Sequence, residues 1–366
     1  MKYKSIQLKE IADIIMGQSP KSIFYNNSGI GLPFLQGVRT FGEDYPKIDT
    51  YTTRFKTIAN QGDILFSVRA PVGKINWANQ EISLGRGLAC IRVKPGYSKE
   101  YLYYYLKKIG TSINSLANGT VFTSINKKEL EEIEIKIPIN LNDQRNIANP
   151  LKTLDSKLMI NNQINDNLLE LANVIFTKQI NKDTTKLSNI ATIQNGYAFK
   201  SKEYVAQKQL LILRTKNIGS NHLFNKFDVV YIDQDNFNEY QKFAFKKFDT
   251  VLVMVGASIG KTGFITSNVL PSLQNQNMWR FRVKNSRMPG LLLYEYVNYI
   301  NKRVKGSASG SARSFYRKEL FNDFEVPIID NNIFTVFERI QLQINNIQVE
   351  NNVLSKLRQE LLNKYF

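Results

Sequence analysis

"INSLANGTVFTSINKKELEEIEIKIP" runs from Ile113 to Pro138, and a close variant, "KGSASGSARSFYRKELFNDFEVP", runs from Lys305 to Pro327. Both read as a loop of small residues, then aromatic or hydroxyl residues, a "KEL" turn, and a short apolar strand closed by proline. The repetition extends outward. "LKEIADIIMGQSPKS" from Leu8 parallels "LSNIATIQNGYAFKS" from Leu187, "GDILFSVRAPVGK" from Gly62 parallels "DTVLVMVGASIGK" from Asp249, and "ACIRVK" from Ala89 parallels "WRFRVK" from Trp279. The offset is roughly 180 to 190 residues, too long for a solenoid repeat. The chain holds two copies of one domain.

Each copy ends in a segment of different character. Beyond Asn142 the glycines vanish, and Ile147, Leu151, Leu154, Leu158, Asn161, Asn165, Leu168, Ala172 and Ile175 recur at alternating steps of 4 and 3. That is a heptad seam, and Asn149-Pro150 offers an N-cap with a first-turn proline as its start. From about Asn331 the pattern returns as Val336, Ile340, Gln343, Ile347, Glu350, Leu354, Leu357 and Leu361. Two such long helices predict a coiled coil. If they run antiparallel with Ile147 toward the Lys364 end, Asn161 falls opposite Glu350. Within each compact domain, short β-rich runs ("ILFSV", "LACIRV", "VLVMV", "WRFRV") and one Tyr- and Leu-rich helix ("YLYYYLKKI", "LLLYEYVNYINKR") predict an α/β unit with a largely antiparallel or mixed sheet.

A formal net charge of +18 in 366 residues is a statement about partners. Nucleic acid is the usual partner of so basic a chain, because neutralised phosphates release counterions. No run of 18 apolar residues exists, so nothing predicts a membrane span. The N-terminus "MKYKSIQLKE" lacks the apolar core of a signal peptide, and one cysteine fits a reducing cytoplasm.

Chemistry-bearing clusters are scarce. The one histidine, His222, stands in the polar loop "GSNHLF", and Cys90 stands inside an apolar strand, where it reads as a core residue. No His/Cys cluster predicts zinc, and no triad is spelled out. "VGASIGKT" ends like a phosphate-binding loop, but only three residues separate Gly256 from Gly260 where such a loop needs four. The other copy has "RAPVGKI" there, so a tight turn presenting a lysine is expected. What remains is basic, amide, hydroxyl and aromatic residues in loops. The first copy offers Gln36, Arg39, Thr40, Arg69, Lys74, Arg86, Thr120 and Phe122. The second offers Arg214, Lys216, Asn217, Lys261, Asn275, Gln276, Arg313, Tyr316 and Arg317. Arg, Asn and Gln make bidentate contacts to guanine and adenine edges. The loops differ between copies while the strands agree, as suits two readers of different DNA sequences on one scaffold.

Taken in this order and twice over, "GYAFKSKEY", "LRTKNI", "GASIGKTG", "SLGRGLACI" and the helix opening "DQRNIANPLKTLDSKL" resemble the specificity subunit of type I restriction-modification enzymes along nearly the whole chain. The resemblance implies α/β target recognition domains at 1–141 and 183–329 and spacer helices at 142–182 and 330–366. It implies that the helices pack antiparallel as a coiled coil, giving an internal pseudo-two-fold repeat. Each domain would read one half of a split target in double-stranded DNA. Two modification (methyltransferase) subunits would dock on the chain, and restriction subunits would join them. It implies no catalytic residue and no cofactor here: S-adenosylmethionine, ATP and Mg would be held by the partner subunits. "NPL" at Asn149 is no substitute for the methyltransferase motif. The second helix, "IDNNIFTVFERIQLQ", matches the family pattern less well. Two other classes compete. A stand-alone DNA nuclease or methyltransferase predicts turnover by the purified chain, and a nonspecific architectural DNA binder predicts no preferred sequence.

Overall fold

A computed structural model of the chain describes residues 1–113, 124–206, 209–307 and 316–366. They form two compact units, one of residues 1–156 with 357–366, the other of residues 157–356.

In the first unit β1 (Ala12–Met16), β2 (Ile64–Ser67), β3 (Ile75–Trp77) and β4 (Leu88–Val93) form an antiparallel sheet in the order β1-β4-β2-β3. The helix α1 (Lys99–Ile113) follows, burying Tyr101, Leu102, Tyr103 and Leu106. Strand runs such as "ILF" are apolar at every position because the sheet separates two cores. Ile64 and Phe66 join one core, while Leu65 joins another with Leu88 and Cys90. Alternate side chains point to opposite faces, so both sets must be apolar. The second core is closed by Leu32–Leu35, which pairs in parallel with Ile82–Leu84. The "KEL" turn is a short helix, Lys127–Glu131. Its Asn126 side chain accepts from the Glu129 N–H at 3.0 Å, while Glu129 accepts from the Asn126 N–H at 2.8 Å. The strand after it, Glu134–Pro138, pairs antiparallel with Tyr3–Gln7. The long helix α2 (Leu141–Lys178) begins here and ends in the second unit.

The second unit repeats the plan. β5 (Ala191–Asn195), β6 (Thr250–Val253), β7 (Thr262–Phe264) and β8 (Met278–Val283) form a sheet in the order β5-β8-β6-β7. They are followed by α3 (Gly290–Ser307) and the long helix α4 (Phe334–Tyr365). Leu210–Leu213 pairs in parallel with Ser272–Gln274, and Thr184–Lys186 pairs with Glu325–Pro327. Even the registers agree: Met16 faces Ala89 in one sheet and Asn195 faces Trp279 in the other, the pairs that the sequence alignment superposes. One part-buried ion pair is repeated too. Arg92 Nη2 donates to Asp63 at 2.7 Å, and Arg282 donates to both oxygens of Asp249 at 2.7 and 2.6 Å.

All nine seam positions expected on α2 are buried or half-buried. The helix starts earlier than expected, however. Asn140, not Asn149, sits at its head, its side chain accepting from the Asn142 N–H at 2.8 Å. Pro150 lies inside the helix on an exposed position, where the carbonyl freed by its missing N–H can reach water. On α4 the seam is displaced at alternate positions. Ile340 and Ile347 are buried and Leu354 and Leu361 half-buried, but Val336, Gln343, Glu350 and Leu357 are exposed, and Ile344, Asn351 and Arg358 take the inner places of the last three. Two of the true seam residues are polar, so the apolar pattern pointed one residue aside. The two helices run antiparallel. Asp155 meets Arg358 in the first unit, and Asn161 meets Glu350 and Asn351 in the second.

Candidate nucleic-acid interface

In both units the sheets carry their loops to one edge by the same device. The parallel strands set Leu35 beside Leu84 and Leu213 beside Gln274. The next amide then crosses back: Gly85 N–H donates to the Leu35 carbonyl at 2.8 Å, and Asn275 N–H donates to the Leu213 carbonyl at 3.2 Å. A glycine underlies each crossing. A Cβ on Gly17 would come within 2.2 Å of the Gly85 carbonyl oxygen, and one on Gly196 within 1.9 Å of the Asn275 oxygen. Arg86 and Gln276, one residue farther on, therefore occupy the same place in the two copies. Both are exposed, and neither side chain has a hydrogen-bond or ion-pair partner among the described residues.

Around Arg86 the first unit gathers other expected residues. The Ser19 hydroxyl donates to Gln36 Oε1 at 2.9 Å and accepts from the Arg86 N–H at 3.0 Å, while Gly87 N–H donates to the Gln36 carbonyl at 3.2 Å. Ser19 went unremarked in the sequence; its spacing from the repeat's Gly17 was the available signal. Arg39 is exposed and forks onto Asp49 at 2.7 and 2.8 Å. This contact in open solvent holds the arginine pKa up and the carboxyl pKa down, each mainly through the hydrogen bond between them. Arg39 and Thr40 line a shallow pocket of about 180 Å³ with Tyr25, Phe34 and Gln36. A larger cleft of about 610 Å³ joins Val38, Phe41 and Glu43 to the turn at Gly73 and Lys74 and to Lys107 of α1. Lys74 is exposed on that turn, where Gly73 has φ +82 and packs against Gly110. Exposed Arg69 forms a β-bridge with Ser124 through its backbone.

The second unit treats its expected residues differently. Asn217 is fully buried: it accepts from the Arg214 N–H at 2.9 Å and donates to the Phe227 carbonyl at 2.7 Å, so it braces the loop from within. Arg214 is turned onto the Asp228 carbonyl, and Lys216 pairs with the Asp228 carboxylate. Lys261 donates to the Ile218 carbonyl, and burial lowers its pKa. The turn is as expected, but the lysine is folded inward rather than presented. Tyr316 is buried, its hydroxyl donating to Asn301 at 2.6 Å, and Asn275 is buried beside Gly196. These side chains, expected at the DNA surface, are instead buried and bonded or packed within the unit. Gln276 and Arg317 remain exposed. Thr120, Phe122 and Arg313 lie outside the described residues. A residue not anticipated is Phe227, 79% exposed beside Asp228, which has φ 47.

Cys90 is wholly buried, its pKa raised by burial, with its thiol donating to Asp63 at 3.2 Å; His222 is exposed on its loop. Among the described residues no group of His, Cys, Asp and Glu could hold a metal ion. Among the described residues no helix is long and apolar enough to cross a membrane.

This repeated scaffold, with its varied loop tips, has relatives. The chain matches the family described as "Type I restriction modification DNA specificity domain" over residues 1–170 and again over 180–355. It belongs to that family, whose members are the DNA-recognition subunits of type I restriction-modification systems and are not themselves catalytic. The MjaX type I restriction enzyme specificity subunit of Methanocaldococcus jannaschii is 42% identical over 47% of this chain and 41% of its own length. The MjaIX specificity subunit of the same organism is 20% identical over 98% of this chain and 91% of its own. The crystal structure of the type I restriction-modification S subunit from M. genitalium has the same fold, with a TM-score of 0.57 at 18% identity, covering 100% of this chain and 96% of the other. Against the first two curated relatives, the matched part amounts to about half of their length, 41% and 59%.

Proposed function

We propose that this chain reads a split double-stranded DNA target, one half with each unit, and docks methyltransferase and restriction subunits in the cytoplasm. The observation that carries this reading is the pair Arg86 and Gln276: one strand-and-turn scaffold presents an exposed arginine in one copy and an exposed glutamine in the other. Arginine suits guanine and glutamine suits adenine, so the same frame would read different bases. The surplus of cations supplies the phosphate attraction that any sequence shares. Exposed Gln36, Arg39, Arg69 and Lys74 stand with Arg86 as contacts of the first half-target, and exposed Lys216 and Arg317 with Gln276 as contacts of the second.

Docking is supported by the outer faces of the long helices. Ile160, Ile164, Leu171 and Val174 on α2 are 38–47% exposed at heptad-like spacing, and Leu342, Val349 and Val353 on α4 are 40–59% exposed. Apolar side chains aligned this way along solvent-facing helix surfaces are suited to packing against further helices. Methyl transfer and cleavage then belong to the partners, which bring S-adenosylmethionine, ATP and Mg.

The test is to co-express the chain with the methyltransferase subunit of its own system in a host without other adenine methylation, and to map modified adenines. The expected result is one motif of two specified halves around an unspecified spacer of fixed length. An undivided motif, methylation without sequence preference, or methyl transfer by the chain alone would overturn the reading.

A further inference from the structure

The loop that carries Arg39 and Thr40 continues into two carboxylates, Glu43 and Asp44. Acidic residues are out of place on a surface that meets phosphates unless a cation already occupies them. Asp44 is so occupied, accepting from Tyr103 Oη at 2.8 Å and from Lys107 Nζ at 2.6 Å, both on α1. Glu43 is held from a far point of the sequence. Arg358 of α4 donates from one nitrogen, Nη1, to Glu43 at 2.7 Å and to Asp155 of α2 at 2.8 Å. Asp155 also accepts from Tyr104 Oη at 2.7 Å. The arginine and the aspartate are largely shielded, with side-chain exposures of 20% and 10%, while Glu43 is 55% exposed. The anchored part is thus the helix end, and the tethered part is the loop. Glu43 and Val38 also line the 610 Å³ cleft that faces Lys74.

We propose that Arg358 is a positioning residue for reading the first half-target: it fixes the Val38–Glu43 loop against the long helices and so sets where Arg39 and Thr40 meet DNA. The inference rests on the split-target reading above. It assigns to the last turns of α4, which follow the second unit in sequence, a part in reading by the first. Arg358 touches no base in this scheme and acts through Glu43.

The complex with the methyltransferase subunit provides the test, with wild type, Glu43→Ala, Arg358→Ala and Arg358→Lys compared by methylation mapping and by competition between matched and mismatched targets. Arg358→Ala also strips Asp155 of its partner and can cost folding, so Glu43→Ala, which removes the acceptor and leaves that pair intact, decides the matter. A partly exposed ion pair predicts a modest effect, a loss of up to about fivefold in discrimination. It should fall in the first half-target only. Arg358→Lys should restore most of it, since both bonds leave one nitrogen that a lysine can replace. Loss spread over both halves, or an unchanged motif in Glu43→Ala beside a clear wild-type motif, would overturn the inference. A wild type without a split motif would instead overturn the reading beneath it.

Discussion

Asn161 on α2 donates from Nδ2 to Glu350 at 2.7 Å and to Asn351 at 2.8 Å, both on α4. Glu350 lies at the outer edge of the seam and also meets Lys157 at 3.5 Å, whereas Asn351 lies inside it. Farther along, Asn165 is fully buried, and neither of its amide atoms has a hydrogen-bond partner among the described residues. Polar groups inside a helical seam fix register at a cost in stability. Replacing Asn161 and Asn351 together by leucine should raise the melting temperature by several degrees, on the order of 1–2 kcal/mol. It should also loosen the alignment, broadening the distances measured between spin labels on α2 and α4. A clear fall in melting temperature would mean that the amide contacts stabilise the pair outright.

Glu295 of α3 is almost fully buried, and burial pushes its pKa up to about 7 although it accepts from Asn173 of α2 at 2.7 Å. The folded pKa exceeds the unfolded value, so this group favours folding most below the unfolded pKa of about 4.5, and the contribution is lost as pH rises through 7. The second unit should therefore lose stability between about pH 4.5 and 7, by at most roughly 3 kcal/mol. Glu295→Gln keeps an acceptor for Asn173 and should flatten that slope in thermal melts. An equal slope in the variant would assign it to other groups.

Arg86→Ala should weaken recognition at one base of the first half-target, and Gln276→Ala at one base of the second, by roughly 1–3 kcal/mol each. Asn217→Ala should behave differently. Its side chain ties the Arg214 backbone to the Phe227 carbonyl, so its loss should lower the stability of the second unit as well as blur its half-target. Methylation mapping beside thermal melts separates the two. If Asn217→Ala altered one base and left melting unchanged, the residue would be a direct reader.

Much of this was legible in the sequence because it was written twice. The strand registers at Met16 with Ala89 and Asn195 with Trp279 join positions that the aligned copies superpose, whereas the repeated pair of Asp63 with Arg92 and Asp249 with Arg282 was hidden, because superposing the Gly-Lys turns sets Asp249 opposite Gly62. The alignment could not show which loop residues face outward. Arg214 resembles a free cation until the Asp228 carbonyl, over ten residues later, is seen to claim it. The seam of α4 was legible where it is apolar, at Ile340 and Ile347, and hidden where Asn351 and Arg358 hold it, since a hydrophobic period cannot mark a polar contact.

The length of α2 should appear in the DNA target. The helix is unbroken over 38 residues, on the order of 57 Å at 1.5 Å per residue. On the proposed reading it separates the two halves that are read. Inserting four residues between Asn161 and Asn167 makes a stutter in the seam. It adds about 6 Å of rise and roughly 400° of rotation, a full turn plus 40°. One base pair of DNA advances about 3.4 Å and, at about 10.5 base pairs per turn, rotates roughly 34°. The rotations nearly match, while the rise falls between one and two base pairs. The insertion should therefore lengthen the unspecified spacer by one base pair, or two if rise rather than rotation decides, and leave the specified bases on either side unchanged. Methylated sites made by the insertion variant with its methyltransferase partner give the answer. An unchanged spacer, or altered bases in either half, would show that helix length does not set the distance between the two readings.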